Sequence, residues 1–174
     1  NPVETLQLEH QRQSQMLEER KAAIETMSGA IRTLADTIKK LASEFPDSPE
    51  LEQMKQDYAD LRSIEQSRME GWREAYSTLG EFAKEIKRAA RIWDVAVAMA
   101  KARGVSGLSE EEWQAKMKAE TSFDAIRAKL NTEMSALNTE KMQADADRIL
   151  KGKTAPKIAS RVESSIAPIT RVST

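Results

Sequence analysis

Side-chain chemistry needs a nucleophile with its base, a titrating pair or a set of metal ligands. This chain holds one histidine, His10, and no cysteine. A thiolate nucleophile, a thiolate metal site and a disulfide framework are therefore excluded. A serine nucleophile needs an oriented base beside it, and nothing in the sequence places His10 in that role. Di-metal sites in helical proteins draw on Glu-x-x-His pairs from two helices. Here Gln7 stands three residues before the single histidine. Gly104-Val-Ser-Gly107 is followed by no Lys-Ser/Thr and preceded by no strand pattern, so it is not a phosphate cradle. Carboxylates are abundant at Glu18-Glu19, at Glu50 and Glu52, and over Glu110 to Glu112. No apolar pocket that would raise their pKa values can be read around them. The reading is a non-enzymatic chain with no catalytic residues, no cofactor and no metal.

Basic groups are the second source of chemistry, because they can contact phosphates or an acidic protein surface. Lys84, Lys87, Arg88 and Arg91 form a stripe, and residues 84–103 carry six basic against two acidic groups. A second basic region closes the chain, with five basic residues against Glu163 over residues 151–174. Within it Ile158, Val162 and Ile166 recur at every fourth residue between Pro156 and Pro168. That is an amphipathic helix too short to stand alone. Ile169 to Thr174 alternates with β-branched residues and suits an extended segment. Residues 152–174 therefore read as a basic docking tail. Ile158, Val162 and Ile166 supply its apolar contacts and Arg161 and Arg171 its charged ones. Formal charge over the whole chain is −1, so no global field draws it to nucleic acid or anionic lipid.

The elements that position these groups are helices. Charged residues make up 32% and aromatics only 5%, a balance suited to long helices rather than sheets. The spacing predicts a first helix over about 3–45. Its heptad a positions are Val3, His10, Leu17, Ile24, Ile31, Ile38 and Phe45, and its d positions are Leu6, Gln13, Arg20, Met27, Leu34 and Leu41. Phe45-Pro46-Asp47-Ser48-Pro49 then stops it, since proline disfavours α conformation in the residue before it. Asp47 or Ser48 can cap a second helix whose first position is Pro49. So short a connection folds the second helix back antiparallel on the first.

The second helix runs over about 49–103, with a positions Leu51, Tyr58, Glu65, Trp72, Leu79, Ile86, Trp93 and Ala100 and d positions Met54, Leu61, Arg68, Ala75, Phe82, Ala89, Ala96 and Arg103. Beyond Met69 its apolar stripe widens, which calls for a further neighbour. Gly104 to Gly107 breaks the chain, and Ser109 with Glu112 forms a capping box for a third helix over about 109–150. Folding about residue 106 places Trp113 near Met99, Ile126 near Ile86 and Leu137 near Ala75. The acidic balance of residues 109–124, five acidic against two basic, faces the basic stretch of the second helix. His10, the eight methionines and the three tryptophans sit at or beside seam positions and read as packing.

The expected fold is all-α: an elongated antiparallel helical hairpin or three-helix bundle over residues 1–151, with a coiled-coil arm over about 34–62 and the basic C-terminal tail. A two-helix arm is expected to leave much of its apolar seam open. The longest apolar stretch, Ile92 to Ala102, contains Asp94 and Lys101 and falls short of the roughly 20 residues a bilayer span needs. The opening Asn1-Pro2, without Met, leaves room for a removed leader or a larger N-terminal region, and nothing in the chain selects a compartment.

The expected function is a structural or assembly protein, a rod-like helical subunit or adaptor of a larger complex such as a phage particle or secretion machine. Its partner is a protein or a second copy of the chain. The alternative is a nucleic-acid-binding accessory protein that uses the second-helix stripe and the tail.

Overall fold

The computed structural model describes residues 1–138, 140–144 and 147 of the 174-residue chain. Asn1 Oδ1 accepts from the Val3 amide at 2.9 Å, and Pro2 needs no amide partner at a first helical position, so helix α1 starts there and runs Pro2–Glu44. Helices α2 (Pro49–Ala102), α3 (Glu110–Glu120) and α4 (Phe123–Ala136) follow. Helix makes up 89% of the described residues, with no strand among them. Helices α1 and α2 pack against each other as an all-α helical hairpin, as the two prolines at 46 and 49 require.

Three polar contacts shape the first turn. The Phe45 amide still donates to Leu41 O at 2.7 Å, and the Ser48 amide then donates to Phe45 O at 3.2 Å. Ser48 Oγ donates to the Glu50 carboxylate at 2.5 Å. This bond, with the backbone amide of Glu50, holds that exposed carboxyl below its ordinary range.

The second break is a Schellman motif. The Gly104 amide donates to Lys101 O at 3.0 Å and the Val105 amide to Ala100 O at 2.9 Å. Gly104 takes φ +80°, the left-handed conformation that the motif demands of this residue. Ser109 then caps α3, its Oγ accepting from the Glu112 amide at 3.2 Å while donating to the Glu112 carboxylate at 3.1 Å.

The third expected helix, over about 109–150, is interrupted. Thr121 is extended (φ −129°, ψ 162°), and both its amide and its hydroxyl donate to Met117 O, which closes α3. The next amide, Ser122 N, leaves helical pairing altogether and donates to the buried Glu85 carboxylate at 3.3 Å. The chain restarts at Phe123, whose ring lies edge-on to Phe82 at 5.5 Å. A second interruption follows Ala136, where Asn138 Oδ1 accepts from the Lys141 amide and caps helical residues 140–144.

The chain divides into two compact units, each with its own core. One comprises residues 1–17 and 73–134. Its core gathers Val3 from α1, Phe82, Ile86 and Ala89 from α2, Trp113 and Met117 from α3, and Phe123 and Ile126 from α4. Trp93 and Trp113 meet edge-to-face at 4.9 Å. This corrects the expected register: Trp113 lies across from Trp93, and Met99 is 56% exposed. The Schellman turn reverses the chain at the end of α2, so the fold point lies earlier than residue 106.

The other unit comprises residues 18–72 and 135 onward. Leu34, Leu41, Leu51, Met54 and Leu61 are all buried in it. The open seam expected of the arm over 34–62 is not found, because each helix covers the other's stripe and Ile38, Ala42, Tyr58 and Ile64 flank it. Asp57 is also buried, its Oδ1 accepting from Gln53 Nε2 at 3.0 Å, and buried Glu65 is paired with Arg62 one turn earlier. Leu137 belongs to this unit, and a Cβ at Gly71 would come within 3.3 Å of Leu137 Cδ2, so a larger residue there would press on that leucine.

Two outcomes are expected. Ile86→Ala empties a buried position and destabilises the chain by about 2–5 kcal/mol in urea unfolding, whereas Leu8→Ala on the open side of α1 stays within about 0.5 kcal/mol. Ser48→Ala raises the Glu50 titration toward its ordinary range in a carboxyl-carbon NMR titration. Because the folded-state pKa is depressed, the stabilisation exists above the unfolded pKa and fades as pH falls through the folded one; the variant loses that acid-side component.

Candidate interaction surface

Helix α2 fixes the candidate surface by burying one side and opening the other. Ile86, Ala89, Ala96 and Ala100 are buried, at 7% exposure or less. Lys84, Lys87, Arg88 and Arg91 are all exposed on the outer positions of the same helix. The basic stripe read from the sequence is thus assembled on one helix and open to solvent.

Its members do different things. Arg88 Nη1 pairs with Glu85 Oε1 at 3.0 Å, with Arg88 56% and Glu85 11% exposed by side chain. Arg88 therefore neutralises a largely buried carboxylate that also accepts from Ser122 N. Upstream, Glu81 lies 3.9 Å from Lys129 of α4.

The surface extends further than the charge pattern suggested. Val95 is 60% exposed and Met99 56%, and Ala98 and Ala102 are exposed beside them. Sequence reasoning missed this apolar extension because Ile92 to Ala102 was weighed only as a candidate membrane span, and its outer positions were assigned to no surface. The signal was present: Lys84, Arg88, Arg91, Val95, Ala98 and Ala102 are spaced alternately by four and three residues, a stripe parallel to the buried one. The tail residues Ile158, Arg161, Val162, Ile166 and Arg171 lie outside the described residues.

Other polar constellations serve packing. Arg127 of α4 gives a two-pronged hydrogen bond to Glu9 of α1, at 2.7 and 2.8 Å, and its guanidinium lies over Phe82 and Phe123 at 5.8 and 5.4 Å. The hydrogen bond to Glu9 raises the Arg127 pKa against the opposing effect of burial. His10 stacks on Phe82 with centroids 6.1 Å apart. Thr78 Oγ1 donates to Glu133 at 2.5 Å, tying α2 to α4. At the α3–α4 elbow an open hollow of about 540 Å³ is lined by Met117, Lys118, Thr121, Phe123, Asp124 and Arg127. Thr121 donates its hydroxyl to Met117 O, and Arg127 turns two of its nitrogens to Glu9, so both groups are committed in part to closing the elbow.

Among the described residues no group of three or more histidines and carboxylates is placed to hold a metal ion. No described helix is long and apolar enough to cross a membrane. Comparison with protein-family models, curated proteins and solved structures finds no match.

The two neighbouring arginines should separate experimentally. Arg88→Ala leaves Glu85 without its cation and destabilises the chain by about 1 kcal/mol, a figure reduced for the exposure of Arg88. Arg91→Ala stays within about 0.5 kcal/mol. Paired urea titrations of the two variants measure the difference.

Proposed function

We propose that this chain is a non-catalytic assembly protein, a helical subunit or adaptor that works by holding other protein surfaces against its helices. The observation that carries the reading is the outer face of α2, where four basic side chains run into Val95 and Met99, both more than half exposed. Large apolar side chains side by side on an open helix face gain by being covered. The polar groups best suited to chemistry support the reading from the other side. His10, Arg127 and Thr78 each fasten one helix to another, and Glu85 holds the Ser122 amide at the α3–α4 elbow.

Nucleic-acid binding is the second reading, favoured by the exposure of Lys84, Lys87 and Arg91 on one helix. Size-exclusion chromatography with light scattering separates the two, run at low and moderate salt with and without duplex DNA. Self-association, or co-elution with a protein partner, that persists at moderate salt without DNA supports the assembly reading. A DNA complex that dissolves as salt rises overturns it in favour of the second.

A further inference from the structure

The outer stripe of α2 has a direction. Lys84, Arg88 and Arg91 form its first half and Val95, Ala98 and Ala102 its second, all six exposed and spaced as a helix–helix seam is spaced. Lys87 and Met99 flank the two halves. Along the stripe itself charge gives way to apolarity, with exposed Asp94 and Lys101 bordering the second half.

That layout discriminates among occupants. A second copy packing antiparallel through the same stripe sets Lys84 against Ala102 and Arg88 against Ala98, pressing charges onto apolar surface. Parallel packing of two copies sets Arg88 on Arg88. The chain's own residues 151–174 carry a net +4 and meet the first half with like charge. A bilayer receives one side of a helix at one depth, so Val95 cannot enter the acyl region without carrying Arg88 and Arg91 in with it. Duplex DNA satisfies residues 84–91 but leaves Val95 and Met99 with nothing apolar to cover them.

We propose that this stripe docks an amphipathic helix of a partner protein, with Asp or Glu where it crosses residues 84–91 and small or branched apolar side chains where it crosses residues 95–102. The proposal rests on the assembly reading above and names the partner's chemistry. Ala98 and Ala102 admit a close backbone, Val95 and Met99 supply the area, and thioether flexibility lets Met99 fit side chains of different shape. Lys84, Lys87 and Arg91 fix the direction in which the partner lies, and Arg88 joins them while holding Glu85.

The test uses the full chain and fluorescence anisotropy. The probe is a synthetic helical peptide with glutamates at seam spacing over its first half and leucine and alanine over its second. Its sequence-reversed form, a shuffled isomer, duplex DNA and vesicles of phosphatidylcholine with phosphatidylserine are tested beside it. One of the two ordered peptides should bind at least about tenfold more tightly than the shuffled isomer. Val95→Ser with Met99→Ser, and separately Lys84→Gln with Arg91→Gln, should each weaken it by at least about tenfold while leaving the thermal midpoint in place. No binding, equal binding of ordered and shuffled peptides, or indifference to the Val95 and Met99 substitutions overturns the assignment. If the chain still assembles in chromatography with both substitutions present, the assembly reading stands and only this surface is wrong. Tighter binding of DNA or of vesicles than of peptide overturns both.

Discussion

Phe82 is the residue on which one whole unit depends. It is 1% exposed, and groups from two other helices converge on its ring: His10 of α1 stacked on it, Phe123 of α4 edge-on, and the Arg127 guanidinium over it. A helix presents only one stripe inward, so a three-way junction needs a side chain large enough to touch neighbours on two sides at once. Arg127 is held over the rings because Glu9 accepts both prongs of its guanidinium, which ties the first turns of α1 to α4 by charge as well as by packing. The interruption at Thr121-Ser122 follows from the same demand. It lets Phe123 turn into the ring while Glu85 takes up the amide the break would otherwise leave bare.

The second unit solves a simpler problem. Two antiparallel helices bury a shared row of apolar side chains from Met27 to Leu61, which among the described residues draws only on α1 and α2. Buried Asp57 and Glu65 interrupt the aliphatic row, and each is met by a side chain of its own helix, Gln53 or Arg62. Lys21 lies over the Trp72 ring at 5.1 Å, so a charged residue contributes cover through its aliphatic stem as well as through the ring's quadrupole.

Much of this was readable from residue types and spacing. The turn at Phe45 to Pro49, the glycine break at 104 and the Ser109 cap follow from backbone rules that operate within a few residues. The inward positions Ile24, Leu34, Leu61, Phe82 and Ile86 follow from a repeat sustained over many turns. The elbow at Thr121-Ser122 was missed because neither residue forbids helix; the break is decided by Phe82 and Glu85, far away in sequence. The slipped register has a related cause, since a glycine loop's length does not say where the reversal falls within it. On the candidate surface the charges were legible as a stripe, whereas Val95 and Met99 were not. An apolar run looks the same whether one side of it or both are covered.

The closing of α3 between a glycine loop and a Thr-Ser elbow has a dynamic consequence. Its 11 residues hold only two buried side chains, Trp113 and Met117, and a helix of that length has little stability of its own. Both ends are already released from helical pairing, so it can leave the core without melting α2 or α4. Such an element is expected to open locally, its amide protons exchanging through an excursion that costs less than global unfolding. The edge-to-face contact of Trp93 with Trp113 has to break in the same step, so the excursion separates two indoles that the folded chain holds 4.9 Å apart.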